Sequence, residues 1–281
     1  KIIYFLGSIH GGSTDLYPVH TRLEKAFSEA DVLLVEANIL DQQSGLEYFS
    51  ENSVYQDGTT LKDNINPEIY EKVVKVAEMF GIPEDIYNQQ KPWSLANNLS
   101  LFNTTGSENI DQAADSANLG IDVYFLLKAY ISQKPIYELE GLKYQTDMLD
   151  GLSPEYQEYY LNSVLDGILS NISSEKTNEK SSAPKINTAN ILLKIWIYQW
   201  IQGDIEGFSQ FFSEVSAGSE DELSTLLFGQ RDKDMADKIM EILESDEEGT
   251  YFVVVGAGHF VKENTIIHQL TQNGYNVEVL E

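Results

Sequence analysis

Short, continuous runs of apolar residues predict the strands of a parallel sheet. Ile2–Ile9 and Asp31–Glu36 are such runs, and a helical pattern over Thr21–Ala30 separates them. Because apolar residues fill these runs without alternating with polar ones, both faces of each strand are predicted to be buried. A strand, a helix and a second strand in this order predict a parallel βαβ unit.

Later helix and strand patterns extend this architecture. The further helices and strands predicted for the sheet region are Ile110–Ser132, Pro135–Glu140, Asp232–Glu244, Thr250–Val255, about Glu263–Asn273 and Asn276–Leu280. The predicted fold class is therefore α/β, with a central, mostly parallel sheet of two related halves flanked by helices and a helical insertion.

Helical patterns dominate two stretches outside the sheet, residues 41–115 and 153–230. The clearest helix there is Pro67–Phe80, which begins with a proline and precedes a glycine. The polar stretch Asn171–Asn190 is predicted to be a solvated loop. Since α/β folds of this size often share one core, we expect residues 1–281 to form a single domain.

Composition limits the partners of the chain. Its 45 acidic and 18 basic residues give a formal net charge of −27, which repels phosphate backbones and anionic lipid headgroups. We therefore expect neither nucleic acid nor a membrane surface as a partner, and no run has the ~18 apolar residues of a spanning helix. The chain begins inside an apolar run without an initiator methionine, so we expect an exported, extracytoplasmic protein whose signal or anchor precedes Lys1; a cytoplasmic location is the alternative.

Two of the four histidines share a pattern. His10 follows Gly7 by three residues and His259 follows Gly256 by three residues, each at the carboxyl end of an apolar strand. Because the carboxyl ends of parallel strands lie along one edge, both imidazoles are expected at that edge. Neutral imidazole is the most common protein ligand for divalent metals, so the pair predicts a metal site there. The alternative is that each histidine only packs or caps locally. A glycine at such a strand end permits a positive φ or a close backbone approach.

Charged residues are predicted at the same edge. Glu36 and Glu140 each end an apolar run, so one can bind a metal while the other acts as a base on metal-bound water. Arg231 continues the apolar stripe of a helix that leads into the His259 strand, and it can stabilise an oxyanion or bind a substrate carboxylate there. The alternative is that Arg231 pairs with a structural carboxylate. Asp122, near a helix start, can orient a ligand. For each carboxylate, a helix cap or a solvated charge is the alternative.

These residues carry a resemblance to the TraB/GumN family, which includes the Tiki metalloproteases. The segments YFLGSIHGGSTDLYP, ADVLLVEAN, KPIYELEGLKYQ and TYFVVVGAGHFV resemble the family in order along nearly the whole chain. The resemblance implies a fold like those of erythromycin esterase and the haem-uptake protein ChaN, and Tiki-like peptidase activity with manganese or cobalt. Bacterial TraB-like members are instead associated with silencing peptide pheromones. One departure is Asp232, where the family usually has asparagine after the arginine.

The sequence thus favours a metal-dependent hydrolase, most simply a peptidase acting on peptides or protein N-terminal segments, with one manganese, cobalt or zinc ion. The expected metal ligands are His10, Glu36 and His259; the expected catalytic residues are Glu140 and Arg231; Asp122, Gly7 and Gly256 are expected to bind substrate or support the ligands. The roles of Glu36 as a metal ligand and Glu140 as a catalytic base can be exchanged. The alternative function is a non-catalytic protein that sequesters a peptide or a metal-bearing ligand. A third possibility is a different hydrolase, such as an esterase, because the fold alone does not determine the reaction.

Overall fold

The structure, a computed structural model, describes residues 1–41, 45–105, 107, 109–177, 188–216, 229–261 and 265–279. The chain divides into two compact units. The first comprises residues 1–41, 119–142 and 197–281, and the second comprises residues 42–118 and 143–196. Whether residues 1–281 act as one domain stays a prediction.

The first unit contains a four-stranded sheet within the described residues. Its strands are β1 (Ile2–Ser8), β2 (Val32–Val35), β3 (Ile136–Glu138) and β4 (Thr250–Gly256), in the order β1-β4-β2-β3. Every neighbouring pair is parallel, with Ile2 opposite Thr250 and Leu33 opposite both Phe252 and Ile136. The predicted α/β class and parallel sheet are confirmed, and β4 lies between the two strands of the predicted βαβ unit.

Helices make up most of the rest of the described chain. Numbered in chain order they are α1 (Thr21–Glu29), α2 (Gly45–Asn52), α3 (Leu61–Asn64), α4 (Pro67–Phe80), α5 (Glu84–Tyr87), α6 (Pro92–Thr105), α7 (Ile110–Asn118), α8 (Ile121–Ser132), α9 (Leu142–Asp150), α10 (Pro154–Thr177), α11 (Thr188–Gln202), α12 (Ile205–Ser216), α13 (Arg231–Glu244), α14 (Gly258–Val261) and α15 (Ile266–Gln272). Within the described ranges, none combines the length and hydropathy that a transmembrane helix requires.

Helices cover both faces of the sheet in the first unit. On one face, Phe252 of β4 contacts Phe27 of α1 and Phe125 of α8, with ring centroids 5.7 and 5.0 Å apart. On the other face, Val253 packs in a cluster with Met235 of α13. Since side chains alternate along a strand, burial on both sides explains why β4 is continuously apolar from Phe252 to Val255.

The second unit is helical, and its core lies between α4, α6 and α10. Asn66 caps α4 by accepting a hydrogen bond from the Glu68 backbone N–H, and Gly81 ends the helix with φ 68°. These local signals agree with the predicted bounds of Pro67–Phe80. Buried apolar residues that form this core include Val73, Val76, Leu99, Leu161 and Leu165.

The helix predicted over Ile110–Ser132 is interrupted at Leu119–Gly120, which separates α7 from α8. Residues 9–17 take up the backbone groups at this interruption: Ile121 donates its N–H to the Ile9 carbonyl, and the Tyr17 hydroxyl donates to the Leu119 carbonyl. The tertiary hydrogen bonds therefore replace those of a continuous helix. The break matters because it starts α8 beside the end of β1.

Two other predictions are wrong in the described residues. The strand predicted over Asn276–Leu280 is absent at residues 276–279, which pair with no described strand, and Leu280 lies outside the description. The Asn171–Asn190 stretch is not a loop at its ends, because α10 continues to Thr177 and α11 begins at Thr188. Residues 178–187 lie outside the description. An apolar alternation specifies a strand only where a partner edge is available, and polar composition alone does not prevent a helix.

Candidate functional site

The carboxyl ends of β1, β4 and β2 lie side by side in the first unit and carry the predicted metal ligands. His10 follows β1, His259 lies in α14 directly after β4, and Glu36 follows β2. Because β4 lies between the other two strands, residues from distant parts of the chain come together here. This edge is where open parallel sheets bind ligands.

Gly256 marks the point on which these side chains converge. A Cβ atom at this position would lie 3.3 Å from Glu36 Oε1, 3.4 Å from His10 Nε2 and 3.7 Å from His259 Cδ2. The Gly256 backbone N–H also donates to Glu36 Oε1 over 2.6 Å. The missing side chain of Gly256 therefore leaves a space that all three predicted ligands border.

Gly7 permits a close approach of two backbone segments. A Cβ atom there would lie only 2.9 Å from Ala257 Cα, and the Ala257 N–H donates to the Ser8 carbonyl over 2.9 Å. Neither Gly7 nor Gly256 has a positive φ. Of the two reasons for glycine at these strand ends, close packing is therefore the one that applies.

An aspartate holds each imidazole of the site. His10 Nδ1 lies 2.7 Å from Asp122 Oδ2, and His259 Nδ1 lies 2.8 Å from Asp232 Oδ1. His259 Nε2 lies 3.7 Å from Glu36 Oε1. His10 borders the space at Gly256 with Nε2, whereas His259 borders it with Cδ2. In carboxylate–histidine–metal arrangements, a hydrogen bond at Nδ1 leaves Nε2 available to the metal.

Arg231 joins Glu36, a predicted metal ligand, to Glu140, a predicted catalytic residue. Its Nε donates to Glu140 Oε1 over 2.7 Å, and its Nη2 donates to Glu140 Oε2 over 2.7 Å and to Glu36 Oε2 over 2.9 Å. The Glu140 side chain is only 1% exposed, so this pair is fully enclosed. Both oxygens of Glu140 are thus occupied by the guanidinium, which fixes its position and orientation.

These contacts change the acid–base properties of His10 and Glu36. Desolvation lowers the pKa of His10, but the hydrogen bond and charge of Asp122 and the charge of Glu36 raise it overall to about 9. Since 64% of the His10 side chain is exposed, solvent screens part of this attraction. Desolvation raises the pKa of Glu36, but His259, His10, Arg231 and the Gly256 N–H lower it overall to about 2.

The donor types at this edge suit a divalent cation. Four carboxylates, from Glu36, Asp122, Glu140 and Asp232, surround one guanidinium and two imidazoles, so the group with its carboxylates ionised carries excess negative charge even when both rings are protonated. Two imidazole Nε2 atoms and one carboxylate are suitable ligands for manganese, cobalt or zinc. In the part of the chain that is described, no group of three histidine, aspartate or glutamate side chains is arranged to hold a metal ion.

Comparison with known protein families assigns the chain to one family. The model of the TraB/PrgY/gumN family matches residues 1–279. The chain belongs to this family. No solved structure is similar enough to extend the comparison, so the likeness to the erythromycin-esterase and ChaN folds stays a prediction.

Curated relatives of this TraB/PrgY/gumN member match it only in part. YbaP of Escherichia coli (strain K12) is 29% identical over 146 residues, which are 52% of this chain and 51% of YbaP. A metalloprotease TIKI homolog of Amphimedon queenslandica is 32% identical over 78 residues, 28% of this chain and 13% of that protein. Metalloprotease TIKI2 of Xenopus tropicalis is 40% identical over 52 residues, 18% and 10% of the two chains. The chain thus matches about half the length of YbaP and much less of the metalloproteases.

Within the first unit, the structure brings together every site residue expected from the sequence, although their roles stay predictions. His10, Glu36 and His259 border the space at Gly256, whereas Glu140 contacts Arg231. The sequence marks Asp232 only as a departure from the asparagine usual in the family, and it does not predict the contact between Asp232 and His259. A signal was available: Asp122 and Asp232 each occupy the second position of a helix that leads into the sheet.

Proposed function

We propose that this member of the TraB/PrgY/gumN family is a metal-dependent hydrolase that acts on peptides or on the N-terminal segments of proteins. The convergence of His10, His259 and Glu36 on the space at Gly256 is the observation that carries the proposal. Two imidazoles and a carboxylate leave coordination positions for water and substrate. We retain manganese, cobalt and zinc as candidate ions, of which one would bind.

In this proposal His10 Nε2, His259 Nε2 and a carboxylate oxygen of Glu36 hold the ion. A bound divalent ion supplies a Lewis acid and an acidified water molecule. Arg231 lies against Glu36, at 2.9 Å, and its guanidinium would stabilise the negative charge that develops on a substrate carbonyl oxygen. Its enclosure by protein, with a side chain 8% exposed, strengthens that interaction.

The contacts of the two glutamates favour different roles for them. Glu36 Oε1 borders the same space as the imidazoles, which supports Glu36 as the ligand. Glu140 has both oxygens bound to Arg231 and is almost completely buried, which supports a role in positioning that guanidinium. Glu140 as the base stays a prediction; it would require Arg231 to release one of the two oxygens.

Peptides are the proposed substrates because of the relatives. The two TIKI proteins are metalloproteases by name, and they share short segments with this chain. The formal charge of −27 adds a preference for substrates without many acidic groups, since like charges repel.

Metal content measured by mass spectrometry tests the site. The wild-type protein, His10→Ala, His259→Ala and the control His20→Ala are each incubated with manganese, cobalt or zinc and then desalted. His20 is exposed and caps α1, so it lies outside the site. We expect about one ion per chain in the wild type and in His20→Ala, and a large loss in both site variants. Equal, near-zero occupancy in all four proteins would remove the basis of the proposal.

Cleavage of a peptide library tests the reaction. Products that appear with added metal, disappear with chelator and are lost in His259→Ala would support a metallopeptidase. Saturable peptide binding without products would favour the alternative of a sequestering protein, and it would overturn the hydrolase while leaving the metal site intact.

A further inference from the structure

Each imidazole at the edge of the sheet is hydrogen-bonded to an aspartate in an equivalent position. Asp122 is the second residue of α8, which leads into β3, and Asp232 is the second residue of α13, which leads into β4. In both pairs the contact joins histidine Nδ1 to one carboxylate oxygen, at 2.7 and 2.8 Å. Carboxylates in the first turn of a helix are stabilised by the positive end of its dipole.

The other oxygen of each aspartate distinguishes these pairs from ordinary packing. Asp122 Oδ1 and Asp232 Oδ2 are buried and have no hydrogen-bond partner among the described residues. Burial of an unpaired polar atom is unfavourable for folding, and most proteins avoid it. Two aspartates that leave the same kind of atom unpaired while holding equivalent histidines indicate a shared task beyond structural packing.

We propose that Asp232 is a positioning residue that keeps the His259 proton on Nδ1 and so presents Nε2 to the space at Gly256, as Asp122 does for His10. The effect on metal affinity rests on the proposed function. The effect on the position of the proton does not, because it depends only on the contact between His259 and Asp232.

The two aspartates act with unequal strength because their surroundings differ. Asp232 is 1% exposed and His259 is 6% exposed, whereas Asp122 and His10 are 22% and 64% exposed. A hydrogen bond shielded from water holds its acceptor more firmly than one that water can replace. Loss of Asp232 should therefore release its histidine more completely than loss of Asp122.

Nitrogen-15 NMR of histidine-labelled protein in chelator tests the position of the proton. Spectra are recorded at a pH at which the His259 ring is neutral, and its signals are assigned by their absence in His259→Ala. We expect the Nδ1–H form in the wild type and a mixture of both tautomers in Asp232→Ala. Asp232→Asn keeps an acceptor oxygen, so it should restore the Nδ1–H form and also serves if the alanine variant does not fold.

Titration with Co²⁺, followed by its visible absorption, tests the effect on the ion. We expect Asp232→Ala to weaken the affinity by about 10- to 100-fold and to alter the spectrum, with a smaller loss in Asp122→Ala. The matched control is Asp237→Ala, the same change at an exposed position of the same helix. This variant should leave the Co²⁺ affinity and the absorption spectrum unchanged.

The two measurements separate failure of this inference from failure of the proposed function. An unchanged His259 tautomer in Asp232→Ala would overturn the positioning role whatever the metal data show. A changed tautomer together with no Co²⁺ binding in the wild type would support the positioning role and overturn the metal site.

Discussion

The two histidines of the site share one sequence pattern but lie in opposite environments. The open half consists of His10 and Asp122; the buried half consists of His259, Asp232, Arg231 and Glu140. The His10 side chain is 64% exposed, whereas that of His259 is 6% exposed. The comparison teaches that a repeated Gly-x-x-His motif specifies where the histidine lies but not how deeply it is buried or how much it contributes to stability. The buried half should govern stability, and the open half should be accessible to solvent.

Replacement of Arg231 by methionine should have the largest effect on stability, because it leaves Glu36 and Glu140 without their cation. We expect the free energy of unfolding to fall by about 3–5 kcal/mol. Chemical denaturation in chelator measures it. Arg231→Lys should lose less, and Arg22→Met, at an exposed position of α1, serves as the control. A loss below about 1 kcal/mol for Arg231→Met would show that the buried half is not a coupled network.

Acid should weaken the contacts of Glu36, which joins the two halves. Its folded pKa of about 2 lies below the ordinary value of 4.5, so Glu36 stabilises the fold above pH 4.5 and loses this contribution as pH falls from 4.5 toward 2. The contribution amounts to about 3 kcal/mol. Unfolding free energies across this pH range, in chelator, should fall less steeply for Glu36→Gln than for the wild type. If the unfolding free energies of Glu36→Gln and the wild type fell equally steeply with pH, the lowered pKa of Glu36 would be contradicted.

The two histidine-to-alanine variants should show directly that the buried half contributes more to stability than the open half. His259→Ala leaves Asp232 buried without its partner, and we expect a loss of about 2–3 kcal/mol in chelator. His10→Ala removes an exposed ring and should lose less than about 1 kcal/mol. Equal losses in denaturation experiments would show that exposure does not distinguish the two sites.

Gly7 and Gly256 should also differ in their contributions to stability, by a smaller amount than the two histidines. Gly7→Ala places a Cβ atom 2.9 Å from Ala257 Cα, so we expect a loss of about 1–3 kcal/mol in stability. Gly256→Ala meets only side-chain atoms at 3.3 Å or more, so stability should change little while Co²⁺ affinity falls about 10-fold. Thermal unfolding and Co²⁺ titration of both variants check this; an unchanged affinity in Gly256→Ala would mean that the ion binds elsewhere.

Hydrophobic patterns along the chain were sufficient for the strands and for the edge that carries the histidines. Continuous apolar runs located β1, β2 and β4, and the rule that parallel strands share one carboxyl edge brought His10 and His259 together. The pattern failed at residues 276–279, where polar and apolar residues alternate but no strand among the described residues pairs with them. Local sequence cannot report whether an edge is available.

The sequence predicts which residues lie at the site better than it predicts which of their side chains contact each other. An acid at a helix start can interact with the helix dipole alone, so the position of Asp232 did not reveal its contact with His259. In the same way, Glu36 and Glu140 both end strands, and only the geometry of Arg231 distinguishes them. Such differences depend on a few ångströms of tertiary structure, which residue spacing does not encode.

The strand order also affects how the chain folds during synthesis. A ribosome releases β1 and β2 long before β4, yet β4 must insert between them. Until then both early strands expose backbone groups that can pair with other chains, and pairings between distant segments form slowly. The same insertion brings Gly256 and His259 to the edge that carries His10 and Glu36. The site residues are therefore together only after β4 has joined the sheet, and a partly synthesised chain lacks those that β4 contributes.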